Sequence, residues 1–489
     1  MLIESYKSAT SLSLLTDLYQ LTMAYGFWKT GHTDKEGIFN LFFRKNPFSG
    51  GYTIACGLEQ VIELLENFHF DSTDIEYLAT LQGNDGSALF DEGFLDFLAK
   101  IRFNCDIEAV EEGTVVFPFE PMLRITGPVI QCQLLETPLL NILNFQSLIA
   151  TKAARICQAA KGEPVLEFGL RRAQGINGAI SASRAAYIGG CSSTSNVLAG
   201  KIFGIPVKGT HAHSWVMAFD DEEESFAQYA RAMPNNCLFL VDTYDTIEGV
   251  KKAINVARQL RKNDHELVGI RLDSGDLAYL SKEARKLLDE AGFPNAIICA
   301  SNDLDEHIIA SLKQQGATIA LWGVGTKLAT GYDQPALGGV YKLVALRDSG
   351  GDWQHKIKLS EQAIKITNPG KLQIRRFIDK GEAIGDMLID ELLPLPEKRL
   401  IIDPSDGTRR KVFSQQVETR DLLVPVFRNG KRVYESAGIE AARDRVKSEL
   451  GLFHEGIKRF VNPHRYPVGL EESLFKLKND LILKNRGFV

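Results

Sequence analysis

The middle of the chain alternates short apolar runs with polar clusters. VLEFGLRR (165–172), IPVKGTHAHS (205–214), LFLVDTYDT (238–246), LVGIRLDSGD (267–276), AIICASND (296–303) and TIALWGVGT (318–326) each read as a buried strand that feeds a polar loop. Between them the apolar positions recur at helical spacing: Ile247, Val250, Ile254, Ala257 and Leu260 in one segment, Leu277, Leu280, Ala284 and Leu287 in the next. Strand and helix alternating with a repeat of roughly 30 residues predicts parallel strands joined by right-handed crossovers. His213 to Asp242, Asp242 to Asp273 and Asp273 to Asn302 are 29, 31 and 29 residues apart, which places these groups at one edge of the sheet. At that edge a β/α barrel or an open parallel sheet binds its ligand. Six strand units rather than eight predict an irregular α/β barrel, with an open doubly wound sheet as the other arrangement.

The flanks lack this repeat. Residues 1–135 contain IFNLFFRKNPF and VVFPFEPMLRITGPVIQCQ, strand-like runs among amphipathic helices, and read as an amino-terminal α/β domain. The barrel is assigned to 136–345. In 346–489 the Pro-bearing loops ITNPGK, LLPLPEK, IIDPSDG and NPHRYPVG break up short charged elements, which reads as a carboxy-terminal extension; GIEAARDRVKSEL within it has the pattern of a surface helix.

Composition narrows the function. The 489 residues carry 56 Lys+Arg against 62 Asp+Glu, a formal charge of −6, with no polybasic block, which argues against a nucleic-acid backbone binder. No apolar stretch approaches the roughly 20 residues of a membrane-spanning helix. Glu4 and Lys7 interrupt MLIESYKSATSLSLLTD where an export signal needs an apolar core, so the cytoplasm is the expected location. The seven cysteines form no C-x-x-C pair and read as small core residues in a reducing compartment.

Several polar clusters carry chemistry. Gly323-Val324-Gly325-Thr326 follows a strand; its unhindered N–H groups suit a phosphate, although a Gly turn that merely closes a strand has the same pattern. Asp273 and Asp276 flank a turn and suit a Mg²⁺ that keeps waters and bridges to a diphosphate. Asp242 and Asp245 repeat the motif one strand earlier, where Thr243 or Asp245 also suits a helix cap. His211 and His213, at i and i+2 on an extended segment, face one side and match the H-x-H pattern of metal-dependent barrel hydrolases. No later strand end from 296 to 326 supplies another His, so the reading favours acid, base or nucleophile chemistry. Arg171, Arg172 and Arg271 supply planar donors at the same edge and point to an anionic substrate.

Taken in order, TDLYQLTM, FFRKNPF, EFGLRRAQG, STSN, GTHAHSW, VDTYDT, IRLDSGDL, ASND and WGVGT resemble the nicotinate phosphoribosyltransferases, type II phosphoribosyltransferases of pyridine nucleotide salvage, over residues 14–345. The resemblance implies an amino-terminal α/β domain with an irregular α/β barrel, in a homodimer that shares its active sites. It implies formation of nicotinate mononucleotide and diphosphate from nicotinate and 5-phosphoribosyl 1-diphosphate, with ATP as co-substrate transiently phosphorylating His213 beside Thr210, and with Mg²⁺. Tyr19 of the partner subunit and Phe168 would sandwich the pyridine ring, and Arg271, with Arg171 as the alternative, would meet the carboxylate. Gly323, Gly325 and Thr326 would cradle the 5-phosphate, Arg44 and Lys45 would contact the diphosphate, and Asp242 and Asp273 would hold the ribose and the Mg²⁺-diphosphate region. Nicotinamide-using relatives carry an acidic residue where this chain has Ser193, Thr194 and Ser195, which favours the acid as substrate. A catalytically silent member of the family would be expected to lack His213 or the paired Asp motifs, and both are in place. Residues 346–489 resemble the long extension of one branch of the family.

Overall fold

In the computed structural model, residues 11–394 and 398–488 are described. Most of the segment read for an export signal, and residues 395–397 of the LLPLPEK loop, lie outside them. The chain divides into two units, one of residues 148–335 and one of residues 1–147 with 336–489. The amino-terminal region and the carboxy-terminal extension thus share a unit.

The continuous unit holds the α/β repeat. Its strands are β1 (Val165–Glu167), β2 (Ser193–Thr194), β3 (Leu238–Leu240), β4 (Gly269–Leu272), β5 (Ile297–Ala300) and β6 (Leu321–Val324). Its helices are α1 (Gly175–Ile188), α2 (Val197–Phe203), α3 (His213–Met217), α4 (Glu222–Ala232), α5 (Thr246–Lys262), α6 (Leu277–Glu290), α7 (Glu306–Gln314) and α8 (Thr326–Ala329). The sheet order is β2-β1-β6-β5-β4-β3, and all neighbours are parallel. This order is compatible with the expected irregular barrel, although among the described residues no strand ladder joins β2 to β3. Phe239, Leu240, Ile270, Leu272, Ile298 and Val324 are fully or almost fully buried along the strands, each side chain contributing about 1.5–3 kcal/mol of transfer free energy. Helix α5 buries Val250, Ala253, Ile254, Ala257 and Leu260, the stripe its period predicts, and Asp245 caps it by accepting the Glu248 N–H at 2.9 Å.

One expected strand is absent. Segment 205–214 makes only an isolated bridge, Val207 to Thr194, and the sheet ends instead on the two-residue strand β2. The segment nevertheless bonds to both edge strands. Thr194 N–H donates to Pro206 C=O and Lys208 N–H to Thr194 C=O, each at 3.0 Å. On the other side the Thr210 hydroxyl donates to Leu238 C=O, and Leu240 N–H donates to His211 Nε2 at 3.2 Å. Toward β3, side chains thus make the bonds that a regular strand makes with its backbone.

The discontinuous unit is built on antiparallel pairing. The strand Glu36–Phe43 lies between Gly339–Arg347 and Leu123–Pro128, and Asp106–Val110 pairs with Leu423–Arg428 from the extension. The run VVFPFEPMLRITGPVIQCQ gives two strands, after which Val129–Leu134 turns helical. A second, six-stranded sheet comes entirely from the extension. On its strand Leu372–Asp379, Arg376, fully buried, pairs with Asp386 at 2.7 Å and Glu449 at 2.8 Å and donates to Val115 C=O. Tyr466 donates to Asp386 at 2.8 Å and stacks on Phe117. Glu449 sits on the helix Gly438–Gly451, so the helix read as ordinary surface carries a buried carboxylate into this cluster. None of the seven cysteines forms a disulfide, and six are buried. Among the described residues no helix is long and apolar enough to cross a membrane.

Candidate active site

The polar residues of the continuous unit collect at the carboxyl ends of its strands. Asp242, Asp273 and Asn302 follow β3, β4 and β5, as their spacing predicts. Asp242 Oδ2 accepts the Asp273 N–H at 2.8 Å and the Ser274 hydroxyl at 2.6 Å, which ties two adjacent strand ends together. Its Oδ1 is buried without a partner. Asp273 Oδ1 accepts the Ser301 hydroxyl, and Oδ2 lies 3.8 Å from His213 Nε2. His213 opens α3, half-exposed, with Nδ1 at 3.1 Å from the Thr243 hydroxyl.

His211 and His213 do not face one side. The chain leaves the extended conformation at Ala212 to enter α3, so the alternation of a strand does not apply. The His211 ring is buried among Phe226, Tyr229 and Phe239, and its Nε2 is used by the Leu240 N–H. Burial pushes its pKa down to about 4, which keeps the ring neutral. Among the described residues no group of three or more His, Cys, Asp or Glu is placed to hold a metal ion. The donors that remain, the free oxygen of Asp242 and the outer oxygen of Asp273, are hard carboxylates. They fit a Mg²⁺ held by one or two carboxylates, with waters and phosphate oxygens completing its shell, better than an all-protein zinc site. Asp276 caps α6 through Oδ1, which accepts the Tyr279 N–H at 3.0 Å.

Arg271 on β4 lies between these carboxylates and the 211 segment. It donates from Nη2 to His211 C=O at 3.2 Å, while Nε is buried without a partner. Burial lowers its pKa and the nearby Asp273 and Asp242 oppose that shift, so it stays a cation. An unpaired N–H and an unpaired carboxylate oxygen, both buried, form a preset polar surface for a ligand that brings both an anionic and a cationic or hydroxylic group.

Strands β1 and β6 build the neighbouring wall. Phe168 N–H donates to Val324 C=O at 2.8 Å. A Cβ on Gly323 would lie 2.8 Å from Phe168 ring carbons, and one on Gly325 would lie 3.1 Å from Phe168 C=O. The glycines therefore make room for the aromatic ring as well as exposing backbone N–H groups ahead of Thr326. Glu167, buried at the end of β1, accepts the Gly169 N–H, the Ser183 hydroxyl at 2.9 Å and the Thr194 hydroxyl at 2.6 Å. It fixes the loop that bears Phe168 and Arg171 and the strand that leads to Ser195. Arg171 and Arg172 are exposed on the turn Leu170–Arg172, and the Ser193 hydroxyl is buried without a partner. Glu167, Thr243 and Ser301 carry roles that sequence reasoning did not assign; each lies inside a motif whose more conspicuous residues drew the reading.

Three expected site residues belong to the other unit. Tyr19 is about half exposed, at 48%, on the helix Leu18–Lys29. Arg44 and Lys45 follow the strand Glu36–Phe43, Arg44 with a buried, unpartnered Nε and Lys45 exposed.

Family models for the nicotinate phosphoribosyltransferase N-terminal domain, family and C-terminal domain match residues 14–144, 164–350 and 371–478. The nicotinate phosphoribosyltransferase of Bacillus subtilis is 46% identical over 473 residues, which cover 96% of this chain and 94% of the relative. The chain belongs to the nicotinate phosphoribosyltransferase family. The human nicotinate phosphoribosyltransferase is 34% identical over 97% of each chain. The crystal structure of human nicotinic acid phosphoribosyltransferase matches with a TM-score of 0.83 at 31% identity, over 95% of this chain and 99% of that one. A nicotinate-nucleotide pyrophosphorylase from Pyrococcus furiosus, at 23% identity and a TM-score of 0.68, shares the fold. The match over 371–478 makes the carboxy-terminal extension part of the nicotinate phosphoribosyltransferase likeness.

Proposed function

We propose that this protein forms nicotinate mononucleotide and diphosphate from nicotinate and 5-phosphoribosyl 1-diphosphate, coupled to ATP through transient phosphorylation of His213. The observation that carries the reading is the setting of His213: Nδ1 beside the Thr243 hydroxyl and Nε2 toward Asp273, next to the free groups of Asp242 and Arg271. With its Nδ1 proton directed to Thr243, the ring presents the Nε2 lone pair. That nitrogen attacks the γ-phosphorus of ATP as the bond to the ADP oxygen breaks, and ADP leaves.

The pyridine nitrogen is itself the nucleophile in the transfer step, so the protein's task is to position and to stabilise charge. Phe168 offers a ring face, with Tyr19 of the partner subunit assigned to the other face. Arg271 meets the nicotinate carboxylate, and Arg171 lies on the adjacent loop. Ser195 stands where an acidic residue would repel the acid. Gly323, Gly325 and Thr326 take the 5-phosphate, Arg44 and Lys45 the diphosphate, and Thr210 braces the His213 segment. Asp242 and Asp273 face the developing positive charge at the anomeric carbon. Asp273, with Asp276 and the free oxygen of Asp242, would hold a Mg²⁺, which would supply charge neutralisation for the diphosphate. A homodimer is supported by exposed apolar side chains at Leu12, Leu15 and Leu18 in one unit and at Val197, Leu198 and Met217 in the other. Buried cysteines outside any disulfide support a reducing compartment such as the cytoplasm.

The test is formation of nicotinate mononucleotide from nicotinate, 5-phosphoribosyl 1-diphosphate and Mg²⁺, with and without ATP, in wild type and His213→Asn. Loss of ATP stimulation and of an acid-labile phosphoenzyme in the variant is expected. Wild-type labelling of His213→Asn by γ-labelled ATP would overturn the phosphohistidine assignment.

A further inference from the structure

Glu167 ends β1 directly before Phe168 and is 1% exposed. Three neutral donors from three segments meet its carboxylate: the Gly169 N–H at Oε1, and at Oε2 the Ser183 hydroxyl of α1 at 2.9 Å and the Thr194 hydroxyl of β2 at 2.6 Å. Asn196 stands behind both hydroxyls. Its Oδ1 accepts the Ala199 N–H at 3.1 Å and caps α2, which leaves Nδ2 to donate to Ser183 Oγ at 3.2 Å. Its backbone N–H donates to Thr194 Oγ1 at 2.9 Å. The Ser183 proton is shared between Glu167 and Ala179 C=O, the latter at 3.0 Å, whereas the Thr194 proton has Glu167 as its acceptor.

The direction of these bonds explains the residue type. Amide donors occupy the far end of each chain of bonds, so the near end must only accept, and a carboxylate does so with both oxygens. A glutamine of the same shape would turn an NH2 group toward one set of donors. Three neutral donors return less to a buried carboxylate than an ion pair would, so filling space is a poor reason for an acid here. What the cluster gains is register. The backbone at the same strand end holds its neighbours as well, with Ser195 N–H donating to Glu167 C=O at 2.9 Å and Phe168 N–H to Val324 C=O at 2.8 Å. Gly169 is packed so closely that a Cβ there would collide with Ala329 and with Glu167 Oε1. The Phe168 ring, partly exposed, lies against Gly323.

We infer that Glu167 is a positioning residue for nicotinate: it fixes the Phe168 loop against the Ser193–Asn196 segment, so that the Phe168 ring meets the pyridine in one preset orientation. Glu167 does this without touching the substrate. The inference rests on the proposed transfer reaction and deepens it, since the chemistry of that reaction does not by itself call for a carboxylate behind the ring. An aromatic face fixed before binding needs no ordering when the pyridine arrives, and stacking depends on how the two rings are offset and tilted. Loss of the carboxylate therefore acts on the pyridine rather than on the phosphoribosyl donor, whose 5-phosphate is assigned to the strand end at Gly323, Gly325 and Thr326. The same bonds give Thr194 and Asn196 of the STSN motif a task, as the arms that orient the carboxylate.

The experiment is steady-state kinetics of the full-length protein and its Glu167→Gln, Thr194→Val and Thr194→Ser variants, with nicotinate and 5-phosphoribosyl 1-diphosphate varied in turn and thermal melts run alongside. Glu167→Gln should raise KM for nicotinate about tenfold or more, the scale of a lost charge-assisted bond, and leave KM for 5-phosphoribosyl 1-diphosphate within about twofold. Thr194→Val, which removes the hydroxyl, should raise KM for nicotinate about threefold or more, and Thr194→Ser, which keeps the hydroxyl, should restore the wild-type value. In a Phe168→Ala background Glu167→Gln should add no more than about twofold, because the ring through which it acts is gone. A merely structural carboxylate would lower the melting temperature and the apparent kcat together and leave both KM values alone. Four results would each overturn the inference: KM for nicotinate unchanged in Glu167→Gln and Thr194→Val, equal rises for both substrates, Thr194→Ser as impaired as Thr194→Val, or an undiminished effect without Phe168. If Glu167→Gln does not fold, the two Thr194 variants decide alone. A wild type that turns over no nicotinate would overturn the proposed reaction and this inference with it, whereas any of the four results with an active wild type overturns the inference only.

Discussion

Two neighbouring histidines show how one residue type takes opposite roles from its surroundings. His213 is half-exposed, with one nitrogen oriented by Thr243. Thr243→Val keeps the shape and removes the hydroxyl, so the ring loses its fixed orientation. The expected result is a fall in kcat of about tenfold with little change in KM for nicotinate, as for a contact worth roughly 1 kcal/mol or more in the transition state. Steady-state rates with and without ATP check it. His211 is buried, neutral, and bonded to the Leu240 N–H through Nε2. Its folded pKa, about 4, lies below the ordinary 6.5, so the unfolded chain binds the extra proton first as pH falls. Stability from this group is therefore complete above 6.5 and is lost as pH falls toward 4, an effect of roughly 3 kcal/mol at most. His211→Gln should lower stability at pH 7 but flatten its slope between pH 4 and 6.5, measured by urea unfolding at several pH values.

Helix starts serve both folding and chemistry. Asp245 and Asp276 cap α5 and α6, and Asp276 is also assigned to Mg²⁺. The two roles separate by substitution. Asp276→Ala should lose about 1 kcal/mol of stability through the missing cap, whereas Asp276→Asn, an equally good cap, should lose almost none. As a metal group, Asp276→Asn should still raise the Mg²⁺ concentration that gives half-maximal rate; an unchanged Mg²⁺ dependence would return Asp276 to capping alone. The strand ends that carry Asp242, Asp273, Gly323 and Gly325 were legible because buried apolar runs followed by polar turns leave a local signature. The 205–214 run was not, because its Ile205, Pro206 and Val207 match a strand while Thr210 and His211 do the bonding through side chains. Glu167 was hidden for a related reason. A glutamate inside an apolar run gives no local sign that three donors from three segments will converge on it.

Pairings across hundreds of residues leave no local trace at all, and they decide how the discontinuous unit is held. Glu36 opposes Arg347, Val110 opposes Leu423, and Arg376 gathers Asp386, Glu449 and the Val115 carbonyl. Arg376→Met leaves buried carboxylates without their cation and should destabilise by about 3–5 kcal/mol, measured by denaturant unfolding. Beside this cluster Glu120 is fully buried and held well above the usual 4.5 by desolvation and by Asp386. The folded state therefore keeps its proton, and the associated stability is complete below 4.5 and lost as pH rises through the raised value. Glu120→Gln should gain stability relative to wild type as the pH is raised, a slope opposite in sign to that of His211. The threading of the chain has a further consequence, for the ribosome. Residues 148–335 emerge as an uninterrupted stretch with all their strands, but the Phe-rich strand Glu36–Phe43 must wait for Gly339–Arg347, about 300 residues later, which at roughly 5–20 residues per second is about 15 to 60 s of synthesis. Through that interval EGIFNLFF lacks one of its two neighbours, so the nascent chain, more than the finished enzyme, is where chaperone binding or premature aggregation should concentrate.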